Sequence, residues 1–278
     1  MIINGKEISE KIREELKAEV KTYMIKPCLA VIQIGNDPAS DVYIKAKEKA
    51  CNEVGIYFKH IKFEETAREI EVINKILELN NDEYVNGILL QLPLPEKFNT
   101  EKLINYIARN KDVDGLTDIN VGKLVNKKKC LVSCTPQGIM ELLKQYEIEI
   151  SGKNVVIVGR SNLVGRPLIS LFLNSDATVT VCHSKTNNLK EFTSKADILV
   201  VAVGHKHLIT KDMVKEGATV IDVGINREDG KLYGDVDFDN VKDKVSYITP
   251  VPGGVGPMTV AMLLKNVNDT YKRMIASK

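Results

Sequence analysis

Residues 154–167 read NVVIVGRSNLVGRP, an apolar strand that runs straight into a glycine turn and then a helix start. That order constrains the chain to an α/β unit built on a parallel sheet. The β-branched run 154–158 suits a strand buried on both faces, and Gly159 allows the sharp turn that follows. Gly165 lets the first helical turn pack closely on the strand, and the open backbone donors at such a helix start suit a pyrophosphate. The usual dinucleotide fingerprint GxGxxG has a glycine where this chain has Ser161, so a tight strand-to-helix turn without a ligand stays open as the alternative.

The next strand, ATVTVC at 177–182, bears on the ligand. A site for NAD places an acid near the end of that strand to accept from the ribose hydroxyl. Here the strand runs into His183, Ser184, Lys185 and Thr186, a set of donors with no acid to repel a 2′-phosphate, and Arg160 adds a positive charge inside the glycine turn. The pattern predicts NADP as the cofactor.

At 278 residues the chain is long for one core and comfortable for two. Charged residues make up 27% and the net charge is +2, with acids and bases interspersed, so neither a nucleic-acid stripe nor a membrane-surface helix is expected. No apolar run approaches the roughly 18 residues of a membrane span. The chain is expected to be soluble and cytoplasmic. The five cysteines are scattered and odd in number, which predicts free thiols. Cys130 and Cys134 stand four apart with no second Cys or His pair, so no metal site is expected. His205 and His207, flanking Lys206, read as part of a solvated loop.

Apolar residues at Ile8, Ile12, Leu16 and Val20 predict an amphipathic first helix running to about Tyr23. Strands and helices then alternate: strand 28–34, helix 40–54 stopped by Gly55, strand 56–63, helix 68–79, strand 85–90, a QLPLP loop that prolines keep out of any ladder, and helix 100–108. KDVDG at 111–115 and a lysine-rich run at 126–129 mark the passage to the second half. Thr135 and Pro136 open a helix to about Tyr146. After the glycine turn, strands 197–203, 218–223 and 245–248 continue a doubly wound sheet, and a last helix, 257–274, is long enough to return to the first domain.

In the helix from Ser40, Tyr43 and Lys47 lie four apart on one face, with Ser40 one turn below Tyr43. A phenol and an ammonium so placed are a usable catalytic pair, or simply two snorkelling surface residues. A Tyr with a Lys four on also occurs in short-chain reductases, but there the pair follows the glycine turn, whereas here it precedes Gly159. Ser40, Gln91 and Asp114 all fall after strand ends, where open α/β sheets bind ligands. Gln91 brings a donor and an acceptor, and Asp114 is able to accept two hydrogen bonds from an amino-pyrimidine edge.

Ser40, Tyr43 and Lys47, QLPLP at 91–95, KDVDG at 111–115, GRSNLVGRP at 159–167 and PVPGGVGPMT at 250–259 together resemble, in order and over essentially the whole chain, the bifunctional methylenetetrahydrofolate dehydrogenase/methenyltetrahydrofolate cyclohydrolase family. The resemblance implies a two-domain α/β protein, usually a homodimer, with folate in a cleft between an N-terminal catalytic domain and a Rossmann-like, doubly wound NADP-binding domain. The catalytic domain is expected over 1–115 with the returning helix 262–278, and the cofactor domain over 116–261. Carried over by position, Lys47 is the key catalytic residue, Gln91 supports it, Asp114 holds the pterin and Tyr43 stacks on the aminobenzoate ring. Ser40, Leu92, Pro252, Gly253, Gly254, Val255 and Gly256 line the folate side. Gly159, Arg160, Ser161, Gly165, Ser184, Ile225 and Thr135 face the cofactor.

There are two departures from the family pattern: Ser133 stands where a proline is usual, and the 205–207 loop is unusual. The implied activity is NADP-dependent oxidation of 5,10-methylenetetrahydrofolate, then hydrolysis of the methenyl product to 10-formyltetrahydrofolate. The rival readings are a family member with one activity and a noncatalytic NADP-binding regulator. The regulator has no use for Ser40, Tyr43, Lys47 and Gln91 together.

Overall fold

The computed structural model describes residues 1–276, which divide into two compact units. One comprises residues 11–123, 128–134 and 260 onward; the other comprises residues 1–10, 124–127 and 135–259. Each is built on its own parallel sheet, as the expected two-domain α/β class requires.

The three-stranded unit takes most of α1 (Gly5–Lys21), which buries Ile12, Leu16 and Val20 along one face. It continues with β1 (Cys28–Ile34), α2 (Pro38–Val54), β2 (Tyr57–Phe63), α3 (Glu69–Asn81), β3 (Gly87–Leu90), α4 (Thr100–Asn105) and α5 (Asp118–Val125). The strand order is β2-β1-β3, so the chain leaves β1 for one neighbour and returns to the other side for the second. That reversal opens a crevice at the carboxyl ends of β1 and β3. β1 is buried along almost its whole length, while β2 at the edge is mostly exposed or half-buried. Val72, Ile73, Ile76 and Leu79 of α3 and Leu103 of α4 pack with Ala30, Ile32, Ile88 and Leu90 of the sheet.

The five-stranded unit contains α6 (Cys134–Gln145) from its second residue, β4 (Asn154–Val158), α7 (Gly165–Asn174), β5 (Thr178–Cys182), α8 (Leu189–Thr193), β6 (Ile198–Val201), β7 (Thr219–Asp222), the hairpin β8 (Asn226–Glu228) and β9 (Lys231–Tyr233), α9 (Phe238–Val241), β10 (Tyr247–Ile248) and the start of α10 (Val255–Ala276). The strand order β10-β7-β6-β4-β5 is doubly wound, with its reversal between β4 and β6. Valines, leucines and isoleucines of β4, β6 and β7 fill the core, where each of these strands is buried on both faces.

The C-terminal helix does return to the first domain. From residue 260 it belongs to the three-stranded unit, where Asn266 Nδ2 donates to the carbonyls of Val113 (2.8 Å) and Val132 (3.1 Å). Asn268 accepts from the Tyr23 hydroxyl and donates to Glu19. The last two residues of the expected 262–278 segment lie outside the described residues. The first ten residues pack differently from the expected 1–115 division. Ile2 bridges Ile248, and Ile3 N–H donates to Ile248 O at 2.8 Å, so an extended apolar stretch covers the open edge of β10.

Several short elements escape the alternation read from sequence. α5 follows KDVDG directly, and β8 and β9 form a hairpin around Asp229 and Gly230, both with positive φ (49° and 75°). That is the Asp-Gly turn of a two-residue hairpin, a signal present in the sequence but flanked by strands too short to show alternation.

Candidate active site

α2 owes its position to a cap. Asp37 accepts from Ser40 N–H (2.8 Å) and from the Ser40 hydroxyl (2.7 Å), Pro38 begins the helix, and Gly55 closes it with φ of 84°. Ser40, expected on the folate side, is buried with its hydroxyl on this cap. Further along, Tyr43 is 52% exposed, and Lys47, one turn on, is half-buried.

Lys47 Nζ donates to Gln91 Oε1 at 2.7 Å. Gln91 is buried just beyond β3, and its own amide Nε2 donates to Leu92 O at 2.7 Å, which turns the amide oxygen toward the lysine. The Leu92–Pro93 bond is cis. Burial pushes the Lys47 ammonium below its ordinary pKa, with the nearby Asp114 carboxyl opposing the shift. Asp114 is pushed up by burial, against the pull of Lys47 and of hydrogen bonds from Cys134. Lys47 of α2 is therefore brought together with Gln91 and Asp114, the two residues expected at strand ends.

KDVDG shows why Asp114 and not its neighbour is available. Lys111 is buried and donates to the carbonyls of Leu79 and Asp82. Asp112 is consumed by the N–H groups of Leu116 and Thr117, the Thr117 hydroxyl and the Asn120 amide. Gly115, at φ 65°, lies so close to the 132–133 backbone that a Cβ would sit 2.6 Å from the Val132 carbonyl carbon. Sequence reasoning missed Cys134 as a partner of Asp114. Its buried thiol also lies 3.5 Å from Val113 O, and only the three-dimensional return of residue 134 to this loop reveals it.

In the five-stranded unit the site is made of backbone. Gly159 has φ of 127°, and a Cβ there would come 2.4 Å from Ala202 O at the β4/β6 reversal. A Cβ on Gly165 would lie 2.3 Å from Gly159 O, so the first residue of α7 rests directly on the turn. Ser161 Oγ accepts from Val164 N–H at 3.2 Å, while Arg160 is exposed. After β5, His183 N–H donates to Thr186 Oγ1 and Lys185 N–H to His183 Nδ1, which leaves Ser184 and Lys185 exposed with no acid among residues 183–186. A turn this tight and a donor set free of acids fit an NADP molecule.

Thr135 Oγ1 lies 2.9 Å from Thr259 Oγ1, and Ile225, after β7, is 51% exposed. The 252–256 segment follows a cis Val251–Pro252 bond. Gly253 O accepts from Lys6 N–H, and a Cβ on Gly254 would lie 2.6 Å from Pro250 O. Val255 is buried at the start of α10, whereas Pro252 and Gly256 are exposed. These residues sit in a different unit from Lys47, Gln91 and Asp114.

The catalytic-domain model of the tetrahydrofolate dehydrogenase/cyclohydrolase family matches residues 3–114, and the NAD(P)-binding-domain model of the same family matches residues 133–275. The chain belongs to the tetrahydrofolate dehydrogenase/cyclohydrolase family. It is 55% identical over 277 residues to a bifunctional protein FolD of Bacillus anthracis, covering 98% of this chain and 97% of that protein. Among solved structures, the bifunctional FolD methylenetetrahydrofolate dehydrogenase/cyclohydrolase of Campylobacter jejuni is 49% identical, with a TM-score of 0.97 over 98% of this chain and 99% of that one. The Trypanosoma brucei FolD, solved with NADP and an inhibitor, is 36% identical with a TM-score of 0.94, over 99% of this chain and 98% of that one. Within the family frame, Lys47, Gln91 and Asp114 fall in the catalytic match, and Gly159, Ser184 and Ile225 in the NAD(P)-binding match.

Proposed function

We infer that this chain oxidises 5,10-methylenetetrahydrofolate to the 5,10-methenyl compound with NADP and then hydrolyses that cation to 10-formyltetrahydrofolate, as an enzyme of one-carbon metabolism. The observation that carries the reading is the Lys47 Nζ to Gln91 Oε1 hydrogen bond of 2.7 Å, an amine held by a neutral acceptor in a half-buried site. NADP, when bound, supplies the hydride acceptor. Gly159, Ser161 and Gly165 would hold its pyrophosphate side, and Ser184 and Lys185 with Arg160 its 2′-phosphate.

The chain's own contribution to the first step is orientation. Asp114 accepts from the amino-pyrimidine edge of the pterin, and Tyr43, exposed on α2, offers a ring on which the aminobenzoate stacks. In the second step a water oxygen bonds to the methenyl carbon while Lys47 takes the water's proton. As the adduct's hydroxyl gives up its proton and its oxygen forms the formyl C=O, the bond from that carbon to N5 breaks, and N5 takes up a proton in place of the one the hydroxyl released.

A lysine at its reference pKa of about 10.4 is a cation and takes no proton. Burial lowers the Lys47 value, and Gln91 orients the amine without restoring its charge as a carboxylate would.

The folate role is assigned to residues 1–115 with the returning helix, the cofactor role to residues 116–261, and the working form to a cytoplasmic homodimer. Leu92 and residues 252–256 are assigned to the folate side, Thr135 and Ile225 to the cofactor side. The test is one assay: methylenetetrahydrofolate with NADP, following the appearance and the disappearance of the methenyl compound. Both phases are expected; a methenyl compound that accumulates and decays only at its uncatalysed rate would reduce the reading to a dehydrogenase.

A further inference from the structure

Two carboxylates beyond the site described so far organise the carboxyl end of the five-stranded sheet. Asp222 ends β7 and Asp235 follows the β8–β9 hairpin, and both are buried. Asp222 accepts from the backbone N–H groups of Gly224 (3.1 Å), Asp235 (2.9 Å) and Val236 (2.9 Å). Asp235 accepts from the N–H groups of Val203 (2.7 Å), Gly204 (3.0 Å) and His205 (2.7 Å), and from Asn226 Nδ2 (2.9 Å).

The packing leaves no slack. A Cβ on Gly224 would sit 2.1 Å from the Asp235 carboxyl carbon, and one on Gly234 would sit 1.8 Å from Asp222 Oδ2. Each carboxylate lies against a glycine beside the other.

The three consecutive donors 203–205 belong to the loop after β6, on the far side of the strand reversal from the glycine turn. Its residues are the ones that meet Gly159: a Cβ there would lie 2.4 Å from Ala202 O and 3.5 Å from Val203 Cγ1. Consecutive N–H groups turned inward, with Gly204 at φ 67°, form the kind of concavity that binds phosphate in other folds. Here Asp235 fills it. Those donors are thereby withdrawn from any ligand, and pyrophosphate binding is left to the turn at 159–165. Through Asn226, Asp235 also fixes the residue next to Ile225. One side chain thus holds the backbone of Val203, 40% exposed, and the side chain of Asn226, the neighbour of Ile225, which is 51% exposed.

We propose that Asp235 is a positioning residue for the dehydrogenase reaction, setting the placement of Val203 beside the Gly159 turn and of Ile225 after β7, and through them the affinity for NADP. This rests on the NADP-dependent reading above. Asp235 belongs to the five-stranded unit, and Lys47, Gln91 and Asp114 belong to the other, so its effect is expected on the step that uses the cofactor. An Asn at 235 keeps the size but turns one acceptor oxygen into a donor facing backbone donors.

The test uses the full-length protein and its two activities. Wild type is assayed first for both, and failure there overturns the functional reading rather than this proposal, since NADP binding by calorimetry is read independently. For Asp235→Asn, the expected result is a roughly tenfold rise in the NADP Kd and KM, with cyclohydrolase turnover on methenyltetrahydrofolate, assayed without NADP, unchanged within about twofold. Unchanged NADP affinity, or cyclohydrolase loss matching the dehydrogenase loss, overturns the assignment. Should Asp235→Asn not fold, Asn226→Ala removes only one of the four donors and is expected to raise the NADP Kd about threefold. Hydrogen exchange on wild type gives a further readout: the amides of 203–205 are expected to be protected, and exchange as fast as exposed loop amides overturns the proposal.

Discussion

At Gly159 the working parts are backbone: a φ of 127°, an approach of 2.4 Å that a single methyl would block, and a run of N–H groups gripped by Asp235. At Lys47 they are side chains: an amine on α2, an amide beyond β3 and a carboxyl in a loop, each delivered by a different element. Both places lie at the carboxyl end of a parallel sheet, one in each unit, where the strand order reverses. The same topological feature therefore serves two kinds of site. The backbone site turns on an approach that admits no added atom, whereas the side-chain site turns on where a proton resides on Lys47.

The sharpest way to break that contrast is Lys47→Ala. Cyclohydrolase turnover is expected to fall by about 10³-fold, the range of a positioned base, with a smaller loss of hydride transfer. Full cyclohydrolase activity in the variant would sink the assignment.

The second prediction probes titration on the backbone side. Burial pushes Asp222 from 3.8 up to about 7, assisted by the neighbouring Asp235 and against three backbone donors. A folded-state value raised above the unfolded one means that the folded chain holds a proton the unfolded chain has released. The stabilising contribution is thus complete below about pH 4 and lost as pH rises through 7. Denaturant titrations of wild type and Asp222→Asn are expected to diverge by about 3 kcal/mol between those limits, in favour of the variant as pH rises. Parallel curves would show that the donors keep Asp222 ionised throughout.

Gln91→Ala sharpens the other side of the comparison. Losing the acceptor on Lys47 is expected to slow hydration of the methenyl compound about tenfold and to spare hydride transfer. Equal losses in both activities would give Gln91 a binding role instead. The smallest effect is at the cofactor rim. Ser184→Asp, which restores an acid after β5, is expected to reduce the preference for NADP over NAD roughly fivefold, and an unchanged ratio of the two kcat/KM values would remove Ser184 from the 2′-phosphate site.

Legibility followed the same divide. The bounds of β1 and β4 were readable because a strand buried on both faces needs a mostly apolar run, and the runs 28–34, broken only by the buried Gln33, and 154–158 end at Gly35 and Gly159. Strands 218–223 and 245–248 come out shorter, as Thr219–Asp222 and Tyr247–Ile248, although Val223 N–H still donates to Val201 O and Ser246 N–H to Ala218 O. Glycine spacing announced the turn at 159. Lys47, Gln91 and Asp114 were readable from strand-end position and family motif, but the Cys134 thiol on Asp114 was not, since a lone cysteine has no spacing to betray a partner twenty residues away. The cap on Ser40 was not readable either, since only the fold shows its hydroxyl donated to Asp37. Asp222 and Asp235 escaped for a related reason: an acid beside a glycine reads as a turn, and only the fold shows that each carboxylate fills the space left by the other's glycine.

That interlock has an evolutionary corollary. Gly224 is small because Asp235 presses on it, and Gly234 because Asp222 does, so none of the four is free to drift alone. A larger residue at either glycine becomes tolerable only in a background where the opposing acid has already shrunk, and that background has already lost its grip on a loop. The contacts therefore couple the four positions mechanically, so that a change at one is expected to require a change at its partner, whereas a Cβ on Gly230 of the exposed hairpin turn would meet nothing within 4 Å.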